Sequence, residues 1–261
     1  MPPTSIWTGT IGFGLVQVPV RIVTATRNKD VSFNQLDRET GSRVRIKRVS
    51  ESSGDEVPSD RIVKGFEISK GRYVVIDPSE LEAIAPKSSH TIEIEEFVDL
   101  ASIDPLYFES SYYLAPDPKA TKPYRLLVDA MNEMHKVAVG KVVMRTKERL
   151  VAIRPLDGVL VISTMRYADE VIDADGIVPH VDDELSSKEV AMARQLVETL
   201  TVDTFEADKY HDTYRQAVLD MIDKKAAGEQ IVAPAASSEP APVLDLVAAL
   251  EQSLARVQKS A

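Results

Sequence analysis

Residues 150–165 read LVAIRPLDGVLVISTM and carry the local signal that decides the fold. Asp157 and Gly158 separate two segments that are rich in Val, Ile and Leu. An Asp-Gly pair between such segments favours the tight turn of a β-hairpin, because both residues tolerate the left-handed backbone that this turn needs. The stretch therefore predicts two adjacent antiparallel strands.

Other segments of the first 180 residues extend this β pattern. Val16, Val18 and Val20 occupy alternate positions, with a polar residue or proline between them. Ile92 and Ile94 alternate with glutamate and threonine in the same way. Many short segments with a period of two indicate a barrel or sandwich rather than a parallel sheet. The predicted class is mixed and mainly β.

The last third of the chain changes to helical spacing. Ser186 and Glu189 have the spacing of a capping box, and apolar residues then recur every three or four positions up to Leu200. A second helix is predicted to end before Gly228, and an earlier single helix follows Pro123. We expect a β core over residues 1–180 and a helical arm over 181–229.

A segment rich in Ala, Pro and Ser follows, and we expect residues 230–242 to be a linker. Beyond it, residues 243–261 are predicted to form a helix with an apolar stripe along one face. Such a helix is marginal alone in water, so it either folds back on its own chain or docks in a partner's groove. The linker favours the partner. The predicted partner-binding residues are Val243, Val247, Leu250 and Leu254.

Charge is segregated along the chain, although the net charge is −10. Residues 1–72 carry +4 and residues 119–154 carry +6, whereas residues 73–118 carry −9 and residues 155–212 carry −10. Because charges are screened over about 8 Å at physiological salt, the local field decides which partner binds. A polyanionic partner therefore remains possible despite the negative net charge. The alternative is that the basic and acidic blocks lie side by side in the fold, so that their charges cancel.

Several functional classes lack their usual residues. The chain has no cysteine, which excludes disulfides, thiolate metal sites and thiol catalysis, and is consistent with the cytoplasm. The four histidines are far apart, so no metal site or cofactor is predicted. No nucleotide-binding, zinc-protease or serine-hydrolase motif is present. No secretory signal or membrane-spanning stretch is visible, and we predict no enzymatic activity and no membrane partner.

Two clusters of cations are the strongest candidates for a binding site. If residues 43–47 form a strand, Arg43, Arg45 and Lys47 lie on one face about 7 Å apart, a spacing close to the phosphate repeat of a nucleic acid. Few aromatic residues accompany them, which argues against base stacking. A charged hairpin that only resists aggregation is the alternative. The predicted DNA-binding residues are Arg43, Arg45, Lys47, Arg48, Lys64, Lys70, Arg72, Lys141 and Arg145.

Several longer motifs, in a fixed order, resemble bacterial Ku, the family that binds DNA ends in non-homologous end joining. The resemblance runs from about residue 6 to residue 257. The motifs that carry it include WTGTIGFGLVQVPV at 7–20, VSFNQL at 31–36, IVKGFE at 62–67, IDPLYF at 103–108, YYLAP at 112–116 and KYHD at 209–212.

The resemblance implies a Ku-type β-barrel core with a C-terminal helical arm, assembled as a homodimeric ring around double-stranded DNA ends. The basic row would line the bridge that encircles DNA, with Lys64, Lys70 and Arg72 in support. It also implies recruitment of the multifunctional ATP-dependent DNA ligase of bacterial end joining through the C-terminal region. Some relatives carry cysteines after the basic row, where this chain has serines, so no zinc is expected. A protein–protein adaptor that binds no DNA remains the alternative.

Overall fold

The computed structural model describes residues 4–84, 90–144, 147–177, 186–228 and 246–260. The strands are β1 (Ser5–Phe13), β2 (Val16–Thr24), β3 (Lys64–Ser69), β4 (Arg72–Ile76), β5 (Thr91–Asp99), β6 (Phe108–Pro116), β7 (Lys136–Met144), β8 (Lys147–Leu156) and β9 (Val159–Met165). The helices are α1 (Pro78–Ile84), α2 (Thr121–Glu133), α3 (Ser187–Leu200), α4 (Thr213–Ala226) and α5 (Leu246–Ser260). Within these ranges, every helix is too short or too polar to span a lipid bilayer.

The main sheet closes into a barrel in the order β1-β2-β6-β9-β8-β7-β5. Neighbouring strands are antiparallel except at the closing seam, where β1 and β5 run parallel over Thr10–Gly12 and Thr91–Glu93. Closure removes the exposed edges that an open sheet would present. The mainly β class with a C-terminal helical part is confirmed.

The hairpin predicted at Asp157 and Gly158 is confirmed. β8 pairs with β9 down to Leu156 and Val159, and the two turn residues have φ angles of 48° and 80°. Both residues occupy the left-handed region, as the turn chemistry requires. The local signal in this stretch therefore fixes the register of two central barrel strands.

The barrel interior is filled by the alternating apolar residues that the sequence pattern indicates. Val18, Val20 and Ile22 of β2 are buried, whereas the intervening Pro19 and Arg21 are exposed. The core includes side chains from β1, β2, β5, β6, β7, β8 and β9 and one face of α2. Apolar residues at alternate positions therefore face the barrel interior, and the residues between them face outward.

Helix α2 covers one end of the barrel, and Tyr124 joins it to two strands. The Tyr124 hydroxyl donates to the Leu114 carbonyl (2.6 Å) and accepts from the Leu160 N–H (2.7 Å). Leu114 and Leu160 are register partners on β6 and β9, so the hydroxyl satisfies backbone groups of both strands. Burial raises the pKa of Tyr124. The residue thereby binds the helix to the sheet at a buried polar site.

Replacing Tyr124 with phenylalanine is expected to lower the free energy of unfolding by about 1–3 kcal/mol, because a buried donor and acceptor lose their partner. Urea unfolding at fixed protein concentration measures the change. The matched control is Tyr113→Phe, since Tyr113 is 37% exposed and its hydroxyl has no hydrogen bond within the part of the chain that the structure describes. Equal stability of the two variants would contradict the assigned role of Tyr124.

The chain divides into two compact units. One contains Met1–Lys29 and Asn34–Asp173, and the other contains Asp30–Phe33 and Ala174–Ala261. In the second unit, α3 begins with the predicted capping box, in which the Ser186 hydroxyl accepts from the Glu189 N–H. Helix α5 packs against α3, and Lys188 lies 3.5 Å from Glu251 between them. The helix predicted at the C-terminus is therefore present and folds back within its own unit.

Candidate nucleic-acid interface

A long segment leaves the barrel between β2 and β5, and we call residues 25–84 of it the insertion. No side chain of the insertion is buried, although it contains the β3–β4 hairpin and α1. Its cations and its large apolar residues are exposed together. A segment of this length without a core of its own is suited to contact another molecule.

Two tight turns in the insertion flank the predicted basic row. In the first, the Asp37 N–H donates to Ser42 O and the Gly41 N–H donates to Asp37 O, each at 2.8 Å. In the second, the Ser50 N–H donates to Asp55 O and the Gly54 N–H donates to Ser50 O, also at 2.8 Å. Arg43, Arg45, Lys47 and Arg48 lie between these turns.

The side chains of each turn stabilise its backbone. The Thr40 hydroxyl donates to the Asp37 carboxylate (2.7 Å), and the Glu39 N–H donates to the same group (3.0 Å). These bonds lower the pKa of Asp37, with the Thr40 hydroxyl as the main cause. Hydroxyl and backbone hydrogen bonds thus hold the ends of the basic row in place.

The expectation of a strand over residues 43–47 is wrong. Only Arg43 forms a bridge, with Leu36, and the next bridge joins Val49 to Glu56. Each end of the segment pairs with a different neighbour, so the residues between have no ladder partner and form no strand. Apolar–polar alternation alone cannot form a strand without an adjacent backbone.

The four cations of the row are all exposed, but they are not equivalent. Lys47 donates to the Glu56 carboxylate at 2.6 Å, so part of its charge is balanced within the insertion. Arg43, Arg45 and Arg48 form no ion pair with any residue that the structure describes. The three arginines are therefore the stronger candidates for phosphate contacts, and Lys47 is better placed to stabilise the second turn.

The three cations of the β3–β4 hairpin lie at opposite ends of it. Lys64 begins β3, whereas Lys70 and Arg72 lie at the tight turn beside Gly71. A strand of six residues is about 20 Å long, so these cations do not form one cluster. They remain predicted DNA contacts at two separate points.

The second basic block, residues 119–154, includes cations that lie on the strands of the barrel. Lys141 on β7 lies 3.0 Å from Glu95 on β5, and this hydrogen bond raises the pKa of Lys141. Arg149 on β8 lies 3.4 Å from Glu109. Arg145 lies outside the described residues. Cross-strand pairing thus reduces the positive field of a block that reads as strongly basic in the sequence.

Arg154, the last cation of this block, is not among the residues predicted from the sequence to bind DNA. It lines a crevice on the outer face of the barrel, and no ion pair involving it is present among the described residues. The described residues contain no cluster of three or more histidine, aspartate or glutamate residues able to hold a metal ion.

The apolar stripe of α5 is partly used within the chain. Leu254 is buried, and Val247 and Leu250 are half-buried. Val243 lies outside the described residues. Binding of a partner by these residues remains a prediction, and it requires α5 to move from α3 or to use another face.

Comparison with known proteins gives a consistent result. The sequence profile of the Ku70/Ku80 beta-barrel domain matches residues 12–196. The non-homologous end joining protein Ku of Anaeromyxobacter sp. (strain K) is 45% identical over 256 residues, covering 98% of this chain and 86% of that protein.

Two further relatives show the same extent of similarity. Non-homologous end joining protein Ku 1 of Saccharopolyspora erythraea is 43% identical over 260 residues, which cover 98% of this chain and 80% of the relative. The protein Ku of Koribacter versatilis is 42% identical over 254 residues, which cover 97% and 87% of the two chains. The profile and the closed barrel agree with the motifs in the sequence, and the chain belongs to the Ku family.

Proposed function

We propose that this protein is a non-enzymatic factor of double-strand break repair that binds the ends of double-stranded DNA without reading their sequence. The observation that carries the proposal is the insertion, an exposed segment that leaves the barrel of a Ku-family chain and presents the basic row Arg43, Arg45, Lys47 and Arg48. Arg43, Arg45 and Arg48, which form no ion pair among the described residues, supply phosphate contacts, which position a duplex without a base code. The bacterial relatives named for non-homologous end joining support the pathway.

Two copies of the chain are needed to form the proposed DNA-binding ring. The β3–β4 hairpin is a two-stranded sheet with both faces exposed, and such a sheet is marginally stable in water. Phe66, Ile68 and Val74 share one face and are 64%, 50% and 47% exposed. We infer that a second copy covers this face, so that two insertions close a ring around the duplex.

A closed ring explains selectivity for ends. Duplex DNA can enter the ring only where the double helix terminates, and phosphate contacts then retain it. If about six phosphates are contacted, log affinity falls with log salt concentration at a slope of about −5. The site of action that follows from DNA binding is the nucleoid in the cytoplasm.

A gel-shift assay with two blunt duplexes of equal length and unrelated sequence tests the DNA-binding function. We expect equal affinity for both and a steep dependence on salt. The alternative adaptor, whose basic faces pair with its own acidic blocks, gives no shift with either duplex. The ion pairs of Lys141 and Arg149 are the observation in its favour.

Recruitment of the multifunctional ATP-dependent DNA ligase is the finer part of the proposal. Deletion of residues 243–261 is expected to leave DNA affinity within twofold and to reduce ligase stimulation severalfold, because it removes the apolar stripe that we assign to the partner. End joining of linear plasmid measures the effect. The Glu251→Gln variant, which removes only the contact with Lys188, is the control. Full stimulation by the truncated protein would restrict α5 to packing on α3.

A further inference from the structure

A short flap crosses the outer face of the barrel. We use this name for residues 100–108, which contain the tight turns Leu100–Ser102 and Pro105–Tyr107. Arg166 holds the flap, because its guanidinium donates to the carbonyls of Leu106 (2.7 Å) and Phe108 (2.8 Å). The Arg166 N–H also donates to the Tyr107 carbonyl (2.8 Å). These three hydrogen bonds hold residues 106–108 of the flap in place.

A crevice of about 440 Å³ lies between the flap and the barrel. Its barrel side contains the paired hydroxyls of Ser111 and Ser163, 2.8 Å apart, and Ser163 is only 4% exposed. One hydroxyl donates to the other, which leaves one hydroxyl hydrogen uncommitted in this pair. Arg154 supplies the single charge among the lining residues. The lining residues are Leu100, Ala101, Ile103, Pro105, Phe108, Ser111, Arg154 and Ser163.

Arg154 has no carboxylate partner among the described residues, in contrast to Lys141 and Arg149 on the same barrel. Lys141 is paired with Glu95 and Arg149 with Glu109, whereas no acidic side chain lines the crevice. A half-buried guanidinium that has lost part of its hydration gains free energy when an anion supplies paired acceptors. The crevice is thus electrostatically complementary to an anion.

We propose that this crevice binds one sugar–phosphate unit of the DNA backbone, an inference that rests on the proposed function. Arg154 donates two parallel hydrogen bonds to the phosphate, and the free serine hydroxyl donates a third. The apolar wall of the flap contacts the deoxyribose. This assignment extends the DNA-binding surface from the insertion to the barrel.

The crevice fits backbone recognition better than base recognition. No asparagine, glutamine, aspartate or glutamate lines it, and these side chains are the usual partners of adenine and cytosine edges. Its one arginine is flanked by serine hydroxyls, which suit phosphate oxygens. The site therefore adds affinity without adding sequence preference.

The test compares Arg154→Ala with Arg149→Ala, which removes the same side chain from a position already paired with Glu109. Fluorescence anisotropy with a blunt duplex is measured over a salt series. We expect Arg154→Ala to weaken binding about tenfold and to reduce the salt slope by about 1. Arg149→Ala is expected to change affinity less than twofold. Arg154→Lys, which keeps the charge and packing but loses the paired geometry, is expected to be intermediate.

Equal effects of Arg154→Ala and Arg149→Ala would overturn the proposal, since net charge alone would then explain both. Free phosphate is the other source of the same chemistry, and thermal unfolding in inorganic phosphate at constant ionic strength tests it. Stabilisation of the wild type but not of Arg154→Ala, with equal DNA affinity of the two proteins, would also overturn it. Failure of the wild type to bind DNA would instead contradict the proposed function.

Discussion

The substitution Phe66→Asp is expected to convert the proposed dimer into a monomer. Phe66 lies on the apolar face of an exposed hairpin, and a carboxylate buried there by a second copy would have no partner. Burial of an unpaired charge costs several kcal/mol, and each 1.4 kcal/mol changes the dissociation constant tenfold. The dimer dissociation constant should therefore rise at least about 100-fold. Light scattering after size exclusion should give the mass of one 28.8 kDa chain.

Loss of the dimer should abolish end binding, because one insertion alone cannot enclose a duplex. The matched control is Leu126→Asp on α2, which places the same charge on an equally exposed apolar residue outside the insertion. Circular dichroism should show an intact barrel in both variants, since Phe66 makes no part of the core. A Phe66→Asp protein that remains dimeric would exclude this face of the hairpin from the interface.

The double substitution Arg43→Ala with Arg45→Ala is expected to weaken DNA binding about 100-fold. In the proposed complex, each guanidinium forms charge-assisted hydrogen bonds to phosphate, which contribute about 1.5 kcal/mol or more apiece. The salt slope should fall by about 2, because two fewer counterions are released. The loss should be the same for duplexes of unrelated sequence, as measured by fluorescence anisotropy.

The control for this variant removes two cations from another surface. Lys122→Ala with Arg125→Ala changes the net charge equally, but both residues lie on α2, and Arg125 is paired with Asp129 at 3.6 Å. We expect less than a threefold effect. If the two double variants weaken binding to the same extent, the insertion has no special role in phosphate contact.

The parts of the fold that sequence could predict are those decided by neighbouring residues. The Asp157-Gly158 turn requires only two backbone conformations, and the Ser186–Glu189 capping box closes within one helical turn. Alternation along β2 likewise depends on one buried and one exposed face. Each signal is local, so the sequence contains the information in one short window.

Contacts between distant residues could not be predicted in this way. Residues 43–47 have strand alternation but no adjacent backbone, and Lys141 meets Glu95 only because β5 and β7 are neighbours in the barrel. The stripe of α5 is predicted to bind a partner, and its packing against α3 does not follow from its own residues. The proposed role of Arg154 depends on a flap that lies about 50 residues earlier in the chain. Register and closure, which set these distances, follow from the whole barrel.

The proposed ring retains a duplex that has entered at its end. Competition between a labelled linear duplex and unlabelled plasmid tests this entry, with the same plasmid supplied either linearised or covalently closed. We predict that the linearised plasmid displaces the labelled duplex when the concentration of its DNA ends is in the nanomolar range. The closed circle should require a DNA concentration at least about 100-fold higher. Equal competition by the two forms would contradict entry at the end and, with it, the ring.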